Sequence, residues 1–174
     1  MLRSLFKPRP ARLAGRALYA RVVEQSRTPA LYADLGAPDT VEGRFEIYSL
    51  HVVLLLERLR GHGEGAAEVS QALFDAYVKA LDDALREMGV GDLSVGKKMR
   101  KLGEAFYGRG KNYQAALDAL PDRGPLEAIL RRTVYADASD RSAELADYVL
   151  AQREALAANP LERLIEGHVD WRTA

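Results

Sequence analysis

The chain has 174 residues, 25 basic side chains balanced by 25 acidic ones, and 48% hydrophobic content. That length suits one domain with a real core, and the composition is that of a globular protein. Zero cysteines exclude a disulfide scaffold, a thiolate zinc site, an iron–sulfur cluster and thiol catalysis.

The periodicity predicts helices throughout. A first helix runs from about Ala11 to Ser26, with Leu13, Leu18, Val22 and Val23 on an apolar stripe and Pro10 at its start. An extended link follows through Pro29, Gly36 and Pro38. Asp39-Thr40 then precede a second helix over about Val41–Arg60, where Glu42 or Glu46 favours the positive helix end. Between Ile47 and Leu56 this segment is apolar nearly all round, which places it at the centre of the fold. Gly61, Gly63 and Gly65 end it.

A third helix over about Ala66–Met88 repeats Val69, Leu73, Tyr77, Ala80, Ala84 and Met88. A second row at Phe74, Val78, Leu81 and Leu85 widens its buried face. Gly89 suits a left-handed C-terminal cap, and Asp92 or Ser94 suits capping of the next helix. That helix begins near Val95 with Met99, Leu102 and Phe106 on one face. Gly108 and Gly110 should break or kink it before Tyr113, Leu117 and Leu120 resume the stripe. Pro125 opens a further helix with Leu126, Ile129, Leu130 and Val134. Another starts near Asp140 and repeats Leu145, Val149, Gln152 and Leu156. Asn159-Pro160 begin a last short helix, Leu161 to Glu166, and Trp171 pins the tail. The expected fold is an all-α, single-domain bundle of about six to seven helices, with a basic N-terminal helix over 1–27 and the main helical domain over 28–174.

The charge balance conceals a pattern. Residues 1–27 carry seven basic side chains against Glu24 alone, and residues 94–113 carry six against Glu104 alone. The remainder is acidic. Two positive segments on an acidic body point to an anionic partner such as phosphate, lipid headgroup or RNA, or else to two solvated helix faces. The longest uncharged apolar run, Ile47–Leu56, is ten residues, against about 20 for a spanning helix. Residues 1–27 lack a signal peptide's apolar stretch; a membrane-surface helix, a cleaved leader and the first helix of the domain remain, the last best fitting Pro10 and the apolar spacing.

No catalytic constellation emerges. His51, His62 and His168 lack the spacing of a metal site. His51, inside the apolar helix, reads as a hydrogen-bonded core histidine, with axial haem ligation as the sharper alternative. Asp75, Asp82 and Asp83 on one helix suggest magnesium–diphosphate chemistry of the isoprenoid type, but no DDxxD cluster is present. They read instead as partners of Lys79, Arg86 and the basic segment. Glu-x-x-His pairs for a di-metal bundle are missing, and Gly89-Val90-Gly91 lacks the Lys-Ser/Thr ending of a phosphate loop. An enzyme is therefore not expected.

The span Arg86–Tyr113 stands out. It combines Arg86 and Asp92 at a glycine-rich turn, a run of Lys97, Lys98, Arg100 and Lys101, and then Phe106, Tyr107, Arg109 and Tyr113. Cations with interleaved rings suit phosphate contact and stacking, whereas the bland alternative turns Phe106 to the core and leaves the lysines solvated. These ten residues are the candidate partner-binding surface.

At the same residues the chain resembles the ubiquinol–cytochrome c chaperone family, assembly factors of respiratory complex III. The likeness covers about residues 31–120. It rests on Gly43-Arg44-Phe45, Arg58-Leu59, Gln71-Ala72-Leu73-Phe74-Asp75, Leu85-Arg86-Glu87-Met88-Gly89-Val90-Gly91-Asp92-Leu93, Val95-Gly96-Lys97-Lys98-Met99 and Phe106-Tyr107-Gly108-Arg109. The resemblance implies a non-enzymatic protein, without cofactor, that binds newly made cytochrome b and helps it assemble. It also implies a small helper protein and proximity to the ribosome, both features of mitochondrial relatives, while the short chain is similar to a bacterial form. The placement expected from it is cytoplasmic, peripheral at the inner membrane, on an anionic membrane surface, with no DNA partner.

Overall fold

The computed structural model describes residues 10–139 and 141–173. Arg3, Lys7 and Arg9 of the basic N-terminal segment, and Asp140 at the expected start of a helix, lie outside them. Among the described residues there are eight helices and no strand. They are α1 (Pro10–Ser26), α2 (Pro29–Ala33), α3 (Val41–Leu59), α4 (Gly63–Glu87), α5 (Asp92–Asp118), α6 (Gly124–Thr133), α7 (Ser142–Ala158) and α8 (Leu161–Ile165). Six have ten residues or more, while α2 and α8 are five-residue pieces.

Helix α3 is the axis of the bundle, packed against α1, α4, α5 and α7. Leu50, Val52, Val53, Leu54, Leu55 and Leu59 on successive faces are all buried, as its all-round apolarity requires. Its start is fixed by Thr40, whose Oγ1 accepts the Gly43 amide at 3.1 Å. Gly43 has no substitute here: a Cβ would run into the Pro38 carbonyl. Arg58 closes a different helix. Its guanidinium donates to the Leu156 and Asn159 carbonyls, each at 2.9 Å, and so occupies orphan acceptors at the end of α7.

Helices α1 and α4 cross closely because small residues meet there. A Cβ on Gly15 would lie 2.5 Å from the Ala72 carbonyl carbon and the Leu73 nitrogen. Leu18 and Val22 of α1 are fully buried, whereas Leu13, expected on the apolar stripe, is exposed. The buried face follows the Ala14–Leu18–Val22 spacing of four residues.

Three boundaries differ from expectation. The link after Ser26 contains α2, begun by Pro29 and held by Leu31, which has no exposed surface. Helix α4 takes Gly63 and Gly65 into its first turn instead of starting at Ala66. Helix α5 is one continuous 27-residue helix through Gly108 and Gly110. Each interior glycine costs about 1 kcal/mol, and burial of Phe106, Tyr113, Ala116 and Leu117 on one face outweighs that.

The C-terminal tail is strapped to α7 by two amides. Gln152 donates to the Arg172 carbonyl at 2.8 Å and accepts the Arg172 amide at 2.9 Å. Asn159 donates to the Asp170 carbonyl and accepts the Asp170 amide, both at 2.9 Å. Trp171 then lies edge-on to His51, 5.3 Å between ring centres. The tail is thus fixed mainly by side-chain amides, with the indole as a secondary contact. No described helix is long and apolar enough to cross a membrane.

Candidate partner-binding surface

The turn joining α4 to α5 is set by Gly89. Its φ of +81° is left-handed, its amide donates to the Arg86 carbonyl at 2.9 Å, and the Val90 amide donates to the Leu85 carbonyl at 3.0 Å. This is the paired closure of a Schellman cap. Gly91 is the N-cap of α5, with Asp92 and Ser94 already inside the helix, so neither serves as the cap residue. Arg86 joins the two helices, pairing with Asp82 at 2.8 Å and with Asp92. Those partners keep its guanidinium charged.

The hairpin leaves the body of the molecule. Between Asp82 and Ala105 the only buried residues are Leu85 and Val95, and neither belongs to the main core cluster. Lys97, Lys98, Arg100 and Lys101 are all exposed. Among the described residues none of the four has a carboxylate within salt-bridge distance. The expectation that the α4 aspartates neutralise them is therefore corrected: Asp83 holds Lys79 at 2.7 Å, Asp82 holds Arg86, and Asp75 accepts from Gln71 at 2.8 Å. The aspartates pair along their own helix because residues four apart share its face.

The remaining candidate residues divide. Phe106 is 5% exposed and stacks on Tyr77 and Phe74, with ring centres 5.1 and 5.4 Å away. Tyr113 is buried, and its hydroxyl donates to Thr133 Oγ1 at 3.1 Å. Burial pushes that hydroxyl's pKa above the usual tyrosine range. Neither ring can meet a partner, because their positions on α5 match Val95 on its inward face. Tyr107 alone among the three rings is exposed, at 67%, and rests against Phe74 and Phe106.

Arg109 is committed as well. It grips Glu46 of α3 through Nε at 2.9 and 3.1 Å and Nη2 at 2.6 Å, with the carboxylate almost wholly buried. Glu46 thus serves as an interhelical partner rather than as a first-turn acid of α3. The exposed candidates are the Arg86–Asp92 pair, Lys97, Lys98, Arg100, Lys101 and Tyr107, with Phe106, Arg109 and Tyr113 packed beneath them.

Two further exposed side chains border this surface, neither of them among the ten expected residues. Met88, assigned to a buried row, is 53% exposed, and Leu93 is 102% exposed. Helical register carried the signal for Leu93, since two residues before inward Val95 is the opposite side of a helix.

The buried His51 is a separate centre. Its Nδ1 lies 2.9 Å from the Ile47 carbonyl and 3.0 Å from Ser26 Oγ, and its Nε2 lies 2.7 Å from the Tyr148 hydroxyl. A carbonyl only accepts, so Nδ1 carries the proton and Nε2 accepts from Tyr148. Gln25 in turn donates to the Tyr148 oxygen at 2.8 Å. Both ring nitrogens are engaged in a site with no exposed surface, which is the hydrogen-bonded core histidine and leaves no free nitrogen for haem. Among the described residues there is no group of three metal-ligating side chains.

Comparison with known proteins then identifies the fold's relatives. The family model described as ubiquinol–cytochrome C chaperone matches residues 33–171, extending well past the 31–120 likeness. The mouse ubiquinol–cytochrome c reductase complex assembly factor 1 is 27% identical over 92% of this chain, and the Xenopus laevis protein 24% over 92%. The chain spans 55% of the mouse relative's length and 82% of the frog's, so it covers about half of the mammalian protein. The crystal structure of the Cbp3 homolog from Brucella abortus superposes with a TM-score of 0.86 at 35% identity, covering 99% of this chain and 97% of that one. The family match spans the α3 start, the α4–α5 turn and Arg109, and the chain belongs to the ubiquinol–cytochrome c chaperone family.

Proposed function

We propose that this chain is a non-enzymatic assembly chaperone. It binds newly made cytochrome b and promotes assembly of the ubiquinol–cytochrome c reductase, with the α4–α5 hairpin as its working surface. The observation that carries the reading is the family match over residues 33–171, which includes the whole hairpin. The surface chemistry supports it. Tyr107 exposes an aromatic ring beside four cations that have no carboxylate partner among the described residues, a combination suited to an apolar segment emerging with polar flanks. The Phe74–Phe106–Tyr107 stack anchors the exposed ring to the core, which limits the ordering cost of contact.

The test is recovery of the client. Tagged protein purified from detergent-solubilised membranes should bring down cytochrome b, and deletion of the gene should lower the assembled reductase without lowering its transcripts. Normal reductase levels in the deletion strain would sink the reading.

A further inference from the structure

We infer that the tip of the α4–α5 hairpin is a membrane-seating wedge that enters an anionic bilayer surface. The inference rests on the reading of this hairpin as the working surface and names its first contact.

The tip is built as an apolar point with a cationic collar. Leu93 projects wholly into solvent, and Met88, on the other side of the turn, is more than half exposed. Lys97, Lys98, Arg100 and Lys101 follow at once on α5 without carboxylate partners among the described residues. The acidic groups nearby are mostly spoken for: Asp82 and Asp92 by Arg86, and Asp83 by Lys79. Among the described residues near the tip, Glu87 and Glu104 are the acids without a cation partner, against those four cations.

Spacing along α5 supports a bilayer. A rise of about 1.5 Å per residue puts Lys97 and Lys98 roughly 6–8 Å behind Leu93, and Arg100 and Lys101 roughly 10–12 Å behind it. Apolar side chains of interfacial segments sit about 5–10 Å into the headgroup and acyl boundary. With Leu93 at that depth, the four cations lie at the phosphate level. Tyr107, roughly 21 Å behind Leu93 by the same rise, stays on the water side for a client.

Other occupants fit less well. A protein partner takes its anchors into pockets from a contiguous patch, whereas Leu93 is a single side chain at the end of a projecting hairpin. An RNA would use the lysines but leave Leu93 and Met88 in water, with Tyr107 the one ring to stack on. A fluid apolar phase under a layer of phosphates uses both parts of the tip and needs no shape complementarity.

The purified full chain should float with vesicles containing about 30% phosphatidylglycerol and not with pure phosphatidylcholine, and 0.5 M salt should release it. Because the chain has no cysteine, Leu93→Cys and Tyr107→Cys each give one labelling site. Nitroxide lipids should quench a dye at 93 and leave one at 107 unquenched. Each of Lys97→Glu, Lys98→Glu and Lys101→Glu should weaken vesicle binding by at least roughly fivefold, from about one cation's attraction to an anionic surface. Met88→Ser with Leu93→Ser should weaken it on anionic vesicles in low salt. These positions are exposed, and unchanged circular dichroism confirms folding of each variant.

Equal flotation with neutral and anionic vesicles, or no flotation, overturns the proposal. So does quenching that is equal at 93 and 107. Loss of RNA retention, or of cytochrome b recovery in detergent, on altering the lysines without any change in vesicle binding overturns it in favour of those partners. The vesicles contain no cytochrome b, so this result stands or falls apart from the client reading.

Discussion

At the scale of single residues, the buried ion pair between Glu46 and Arg109 decides more than its place in the sequence suggests. Glu46 is almost wholly buried, and three close nitrogen–oxygen approaches from one guanidinium bind its carboxylate. Arg109→Ala should therefore destabilise the fold by about 3 kcal/mol, because it leaves a carboxylate stranded in the interior. Chemical denaturation checks this, and a midpoint unchanged from the parent chain would show that Glu46 finds water instead. Arg109→Lys should not restore full stability, since an ammonium lacks the planar fork that meets both oxygens. Register sets Arg109 between inward Phe106 and Tyr113, unlike Lys97 or Arg100, but it does not name the partner. The partner that separates them lies 63 positions away on α3, and local spacing carries no information at that range. His51 was legible for the opposite reason, because a polar ring inside an apolar stretch must find partners whatever the fold is.

At the scale of elements, regular periodicity made α1, α3, α4, α6 and α7 readable to within a few residues, and the Gly89 turn was readable from its glycine. The misreadings fall where packing overrules local preference. The glycines of α5 argue for a break, yet the helix passes through because the residues before and after them continue one buried face. A Cβ at Gly108 would meet nothing within 4 Å. Gly108→Ala should consequently raise stability by about 0.5–1 kcal/mol, seen as a higher denaturation midpoint. Gly43→Ala should do the reverse and disrupt the start of α3, because the Pro38 carbonyl occupies the space. If both substitutions move stability in the same direction, the packing account of these glycines fails. The short α2 was invisible for a related reason: five residues hold too little period to register, and the burial of Leu31 keeps them helical.

At the scale of the whole molecule, the centre was legible and the working surface only in part. Composition marks α3 as the axis, but whether Met88 and Leu93 lie inside or outside depends on how far the hairpin extends past the body. The core also carries a pH dependence. Burial depresses the His51 pKa to about 4, against an ordinary value of 6.5. Between those values the unfolded chain binds a proton that the folded chain refuses, so stability falls as pH drops from about 6.5 toward 4 and is fully present above that window. The loss amounts to roughly 3 kcal/mol by pH 4. Urea denaturation from pH 7 to 4.5 should show this slope in the parent chain and a shallower one in His51→Gln; equal slopes would remove His51 as the cause. The strapped tail supplies a means of following such events. Trp171 is the one tryptophan of the chain, and it sits edge-on to His51. Its ultraviolet emission is thus a natural optical gauge of the bundle's closure, reporting release of the last residues from α7 without any added dye.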